Sequence, residues 1–147
     1  MKKRAKSPVF LTSTDTTVGF VSKDAQRLDE IKGERKGKRY ITVVPSFEEL
    51  KKRVRVPSKF RKELRRAART TYIYPNGESY RVVNGGEHRR LIERLGWAYS
   101  TSANRSGEEY EEKFAVAVAD IVIYPLKKSH RPSTIYRLGR ERKIRLR

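Results

Sequence analysis

Small hydroxyl and amide side chains gather in three short stretches: Ser13-Thr14-Asp15-Thr16-Thr17, Ser100-Thr101-Ser102-Ala103-Asn104-Arg105-Ser106-Gly107 and Pro132-Ser133-Thr134. Each adjoins an apolar run that reads as a strand, and α/β sheets take their ligands at strand ends. Small alcohols and free backbone N–H groups donate to phosphate or carboxylate oxygens without filling the space those oxygens need. Taken singly, such a stretch is more often a turn or a helix cap. The absence of cysteine excludes disulfides and thiolate metal sites, and His88 and His130 alone leave little for a histidine-built zinc site. His130 has no acidic neighbour in sequence and reads as a loop residue.

The charge bounds the partners. In 147 residues, 36 Lys and Arg stand against 17 Asp and Glu, a formal net charge of +19. Residues 51–69 hold ten bases against Glu63, residues 127–147 nine against Glu141, and residues 32–39 five against Glu34. The net charges of these three segments are therefore +9, +8 and +4. Such clusters favour a polyanion, RNA before an anionic membrane. No apolar run approaches the roughly 20 residues that cross a bilayer, and Val9-Phe10-Leu11 is too short for a signal-peptide core behind the basic start. Together with the lack of cysteine, this fits a cytoplasmic protein.

The elements that must carry these loops alternate between strand and helix. Strands are expected over 9–12, 40–44, 97–100, 121–124, 133–138 and 143–147, with a hairpin of 70–74 and 79–83 closed by Asn76-Gly77. The run at 121–124 is the most apolar of them. Helices are expected over 23–32 with Ser22 as cap and Gly33 as stop, over 47–53 behind the capping box of Ser46 and Glu49, and over 57–69. Two more run from Gly85-Gly86 to Leu95-Gly96 and over 108–119. Trp97 and Tyr72, Tyr74, Tyr80 and Tyr99 read as core and strand-face residues before they read as base-stacking platforms. The pattern is one α/β domain over 1–147 with an open, mixed β-sheet, helices packed on it and a positively charged concave face.

Ser102-Ala103-Asn104-Arg105-Ser106-Gly107 matches throughout the Ser-Ala-Asn-x-Ser-Gly segment of the YrdC-like family, the threonylcarbamoyl-adenylate synthases. Ser13-Thr14-Asp15-Thr16-Thr17-Val18-Gly19-Phe20 resembles the family's near-N-terminal Pro-Thr-Asp-Thr-Val-Tyr-Gly-Leu, and Pro132-Ser133-Thr134 its Pro-Ser-Thr. Lys32-Gly33-Glu34-Arg35 and Lys38 stand in place of a Lys-Gly-Arg loop, Tyr80-Arg81-Val82-Val83 of a Val-Arg-Val-Pro strand, and Ile144-Arg145 of a terminal Leu-Arg element. Glu34 takes the place of the loop arginine, Val18 that of a tyrosine and Val83 that of a proline. The resemblance implies an enzyme, a nucleotidyltransferase that joins L-threonine, bicarbonate and ATP into threonylcarbamoyl-AMP and pyrophosphate for the t6A modification of tRNA. By the same resemblance, Lys32, Arg35, Ser102 and Asn104 do the chemistry and Lys38, Arg81, Ser133 and Arg145 hold the nucleotide. Thr14 and Thr16 receive threonine, Asp15 either reaches Mg2+ through water or serves as a buried cap or turn acceptor, and the other enzymes of tRNA threonylcarbamoylation are further partners. The charge reversal at Glu34 keeps a second outcome open, a non-catalytic protein of the same fold that binds tRNA or double-stranded RNA.

Overall fold

The computed structural model describes residues 7–33, 39–127 and 131–147. Within them the chain builds strands β1 (Phe10–Ser13), β2 (Val18–Ser22), β3 (Ile41–Val44), β4 (Thr70–Ile73), β5 (Ser79–Val82), β6 (Ala98–Ser102), β7 (Ile121–Val122), β8 (Thr134–Leu138) and β9 (Lys143–Arg145). The helices are α1 (Ala25–Lys32), α2 (Phe47–Arg53), α3 (Arg61–Arg66), α4 (Gly86–Leu95) and α5 (Glu112–Val118). The strands form one open, mixed sheet in the order β7-β1-β2-β6-β3-β5-β4-β8-β9. The pairs β1–β7, β3–β5 and β4–β8 are parallel and the others antiparallel.

Register and the period of two assign every strand residue to a face. Phe20, Thr101, Tyr99, Thr42, Tyr80, Tyr72 and Tyr136 follow one another across the paired strands and share one face. Helices cover that face in two groups. Leu28 and Ile31 of α1 and Ala115 of α5 pack on Leu11 and Phe20, while Phe47 and Leu50 of α2 and Leu64 of α3 pack on Tyr72, Tyr80, Val82 and Leu138. The other face carries Val21, Val43 and Ala98 beneath Ile92 of α4. It also carries Gly19, Ser100, Ser102, Arg81 and Thr71, whose types do not form a core.

Local chemistry sets the element ends. Asp24 caps α1 by accepting from the Arg27 amide at 3.1 Å, and Ser46 caps α2 by accepting from the Glu49 amide at 3.2 Å. Gly33, with φ 69°, ends α1, and its amide returns to the Asp29 carbonyl. Ser22 is therefore not the cap expected for α1; it is the last residue of β2, and its hydroxyl accepts from the Asp24 amide at 3.0 Å. β2 itself is not among the strands expected from the sequence. The helix expected over 57–69 is a 3-10 turn (Ser58–Phe60) followed by the short α3, because the backbone is extended again at Ala67. The apolar run 121–124 yields only the two-residue edge strand β7, with Ile121 and Tyr124 exposed. Thr101 and Ser102, expected in a loop, extend β6 by pairing with Phe20 and Gly19. The expected hairpin, the helix at 86–95 and the late strands are present.

Candidate functional site

α4 covers only part of its face. Beside it a cavity of about 340 Å3 opens over the polar strand residues, lined by Thr16, Arg39, Arg81, Ser100, Ser102, Ser133 and Arg147 among others. All three hydroxyl-rich stretches meet here: Thr16 from the β1–β2 turn, Ser102 from the end of β6 and Ser133 from the start of β8.

The β1–β2 turn is held by its own alcohols. Thr14 Oγ1 donates to the Thr17 carbonyl at 2.6 Å and accepts from the Thr16 amide at 3.1 Å. Thr14 thus shapes the turn, and Thr16, 3.2 Å from it through the hydroxyls, faces the cavity. Gly19 stands opposite Ser102, and a Cβ there would lie 2.9 Å from the Thr101 carbonyl oxygen and 3.0 Å from the Thr14 methyl. The close approach of turn and strand therefore requires glycine.

Two cations are buried against this framework. The Lys32 amine donates to the carbonyls of Ser102 at 2.8 Å and Asn104 at 2.7 Å, tying the end of α1 to the Ser-Ala-Asn loop. The Asn104 amide donates to the Arg105 and Glu108 carbonyls, both at 2.8 Å. Lys32 and Asn104 support the loop that presents Ser102, and neither lines the cavity. Arg81 is 4% exposed, and its Nε donates to Asp15 Oδ2 at 3.1 Å. Its terminal nitrogen lies 3.1 Å from Oδ1, outside hydrogen-bond alignment. With both oxygens facing a guanidinium, Asp15 does not fit a carboxylate that reaches a metal through water. Among the described residues, no group of three or more His, Cys, Asp or Glu could hold a metal ion.

Arg147 is the residue that the sequence did not single out. Its guanidinium donates to the Ser133 carbonyl at 2.9 Å and to the Ser133 hydroxyl at 3.2 Å, and that hydroxyl also bonds Thr71 at 2.8 Å. Arg147 is exposed overall, yet partial burial of its guanidinium, and after it the nearby Arg81 charge, push its pKa down; both arginines line the cavity. Arg145, expected among the nucleotide contacts, does not line this cavity. It pairs with Tyr136 and so shares the face of Tyr72, away from Arg81 and Thr71, and it is exposed. Strict alternation would put 145 and 147 on one face; beyond β9 the Leu146 and Arg147 amides both bond the Ile135 carbonyl, at 2.8 and 3.3 Å, and this bulge turns Arg147 toward Ser133, a break the sequence does not mark. Arg35 and Lys38, also expected here, lie outside the described residues, as does His130.

His88, on the first turn of α4, is a second residue that the sequence did not mark. It is buried, neither ring nitrogen has a hydrogen-bond partner among the described residues, and burial, opposed by Asp15 and reinforced by Arg81, lowers its pKa to about 4.

No family model matches the chain. The Mycoplasma pneumoniae protein described as the uncharacterized MG259 homolog is 29% identical over 151 aligned positions, which take in 95% of this chain. The chain spans 32% of the length of that relative. Among solved structures, Sua5 of P. abyssi superposes with a TM-score of 0.80 at 19% identity, over 95% of this chain and 52% of Sua5. Its complex with L-threonine gives a TM-score of 0.78 at 20% identity, over 95% of this chain and 50% of that one. E. coli YciO gives 0.75 at 18%, over 96% of this chain and 82% of YciO. HypF in its phosphate- and nucleotide-bound form gives 0.73 at 16%, over 95% of this chain and 26% of HypF. The chain has the YrdC-like fold, the α/β architecture it shares with Sua5, YciO and part of HypF. Among the described residues, no helix is long and apolar enough to cross a membrane.

Proposed function

We propose that the chain is an L-threonylcarbamoyladenylate synthase, which forms threonylcarbamoyl-AMP and pyrophosphate from L-threonine, bicarbonate and ATP for the t6A modification of tRNA. The observation that carries this reading is the convergence of Thr16, Arg81, Ser102, Ser133 and Arg147 on one cavity, with Lys32 bracing the Ser102–Asn104 loop. The likeness to Sua5 in complex with L-threonine and to HypF bound to phosphate and nucleotide supports the same pair of ligands.

The chemistry asks for little more than placement. The neutral threonine amine adds to the CO2 that bicarbonate releases with hydroxide; the new C–N bond expels an N–H proton, which takes up that hydroxide as water, and a carbamate is left. A carbamate oxygen then attacks the α-phosphorus, the bond from the α-phosphorus to the bridging oxygen breaks, and pyrophosphate leaves with the electron pair. In-line displacement of this kind depends on positioning and charge neutralisation, and needs no protein nucleophile. Arg147 and Arg81 would face phosphate oxygens, Ser133 and Ser102 would donate to them, and Thr16 would line the amino-acid end. Arg35 and Lys38 would add charge from the loop after α1. Mg2+ would enter as the ATP complex, since Asp15 already faces Arg81.

One observation favours the second reading, a non-catalytic RNA-binding protein on this fold. Lys32 bonds backbone carbonyls and Arg81 bonds Asp15, so two cations expected at the phosphates are engaged within the protein. The test is pyrophosphate release from ATP, which under the first reading requires L-threonine and bicarbonate together and is nearly abolished in Ser102→Ala with the fold intact. Absence of release from wild type that binds tRNA decides for the second.

A further inference from the structure

The face opposite the cavity carries a second concentration of charge. A cleft of about 560 Å3 lies between the 54–61 segment, the β4–β5 turn and the β8–β9 turn, lined by Arg55, Ser58, Lys59, Arg61, Asn76 and Arg140. It adjoins a depression of about 510 Å3 that shares Arg55 and Arg61 with it and adds Lys51, Lys52 and Arg53. Glu141 is the acid in the lining of this continuous surface, and it sits 3.8 Å from Lys59.

Some bases are matched by carboxylates, including Lys51 and Lys52 of this surface, which pair with Glu48 and Glu49. Arg27 pairs with Asp120, Arg89 with Glu93 and Lys143 with Glu63. In the cleft, Arg55, Arg61 and Arg140 are exposed and have no ion pair or side-chain hydrogen bond among the described residues. Like charges lining one cleft repel one another, so three unpaired arginines beside the single carboxylate of Glu141 lose stability unless an external anion neutralises them. Guanidinium groups suit phosphate because two N–H groups can meet two oxygens at once.

The surface continues past Arg53 and Asn76 into a groove of about 520 Å3 that holds Trp97, Tyr99 and Arg39, together with Glu78, whose carboxylate accepts from the Tyr80 hydroxyl. There Arg53 lies 5.0 Å and Lys23 5.3 Å from the Trp97 ring. Arg39 also lines the nucleotide cavity. The cations therefore form a track with aromatic rings along it, longer than a single phosphate can occupy. The exposed large apolar residues, Ile121, Tyr124, Ile144 and Leu146, do not line the track.

We infer that this track binds the phosphate backbone of an RNA, with Arg55, Arg61 and Arg140 as its principal phosphate contacts. The site is independent of the adenylate chemistry and lies on the helix-covered face of the sheet. It adds RNA capture to whatever the cavity does.

The experiment measures binding of a fluorescent tRNA transcript by anisotropy at several salt concentrations. It compares wild type, the triple variant Arg55→Ala/Arg61→Ala/Arg140→Ala, its charge-keeping counterpart with lysine at the three positions, and Arg147→Ala in the cavity. Losing three phosphate contacts should weaken binding on the order of 100-fold at 0.15 M salt and lower the slope of log K against log salt by about 2 to 3. The lysine triple should keep most of the slope, and Arg147→Ala should bind RNA within about threefold of wild type. An unchanged thermal midpoint in the alanine triple shows that the fold is kept; if it falls, the lysine triple decides. Loss of slope in that folded lysine variant overturns the inference. So does an alanine triple that binds like wild type, or an Arg147→Ala variant that alone loses RNA. Wild type that ignores tRNA but sediments with phosphatidylserine vesicles through the three arginines also overturns it. Pyrophosphate release plays no part in the readout, so failure of the synthase reading leaves this result interpretable.

Discussion

His88 gives the fold a measurable sensitivity to acid. Its ring is buried in the first turn of α4 with both nitrogens unbonded among the described residues, a place where burial and the helix N-terminus each disfavour the protonated form. Burial is the larger cause of its lowered pKa; the Asp15 carboxylate works against it and the Arg81 charge with it, leaving a value of about 4. In the unfolded chain a histidine takes its proton near its ordinary value of 6.5. Between those two values the unfolded state holds the extra proton, so stability is fully present above about pH 6.5 and is lost as the pH falls toward 4. Within that window each pH unit is worth about 1.4 kcal/mol, so going from pH 7 to pH 5 should cost about 2 kcal/mol through this residue. His88→Leu removes the titration and leaves no partner behind, so it should match wild type within about 1 kcal/mol at pH 7 and exceed it by about 2 kcal/mol at pH 5. Urea denaturation followed by Trp97 fluorescence at both pH values reads the difference. Equal losses in the two proteins between pH 7 and 5 would refute the assignment, because the acid sensitivity would then come from other groups.

Further outcomes follow from the same contacts. Lys32→Met should strand the Ser102 and Asn104 carbonyls, lower stability by about 2 kcal/mol in denaturant melts and abolish any pyrophosphate release. Gly19→Ala should push the Thr14 turn away from β6 and cost about 1 to 3 kcal/mol, with nucleotide affinity by calorimetry falling in step. Burial works to raise the Glu63 pKa, but bonds from Lys143 and Tyr72 outweigh it and lower it, so this tether should support stability above the ordinary carboxylate range and be lost as the pH falls below it. Glu63→Gln should cost about 1 to 2 kcal/mol at pH 7 and remove that acid limb from the pH–stability curve.

Much of the scaffold was legible because its signals are local. Ser46 and Glu49 announce α2, Asn76-Gly77 closes the hairpin and Gly96 stops α4, each through a bond or a backbone angle spanning a few residues. β2 escaped because Val18-Gly19-Phe20-Val21-Ser22 is buried on both faces and shows no alternation, and its glycine is there for a contact with Thr101 made across the sheet. The apolar run at 121–124 was overvalued for the converse reason, since hydrophobicity says nothing of position and this run lies at the edge beside β1. At the site, the hydroxyl stretches were visible as types. The engagement of Arg81 by Asp15 across 66 residues, and of Lys32 by carbonyls 70 and 72 residues away, was not.

The two faces of the sheet explain why the polar residues of this chain fall where they do. A helix that covers a strand face selects apolar residues at every second position, and α1, α2, α3 and α5 together do this for one face: Phe20, Val44, Tyr80, Val82, Tyr72 and Leu138. The reverse face has α4 alone, which needs only Val21, Val43, Val83 and Ala98 beneath it. Positions beyond its reach are released from that demand, so Arg81, Ser100, Ser102 and Thr71 can alternate with core residues on the same strands without opening the core. The cavity is thus a consequence of where helices are missing, and its anion-seeking character follows from the side chains that the uncovered area tolerates. On the covered face the same logic moves charge outward, onto the solvent sides of α2, the 54–61 segment and the β8–β9 turn. A single sheet can therefore present a nucleotide-sized cavity on one side and a cationic track on the other, joined at Arg39.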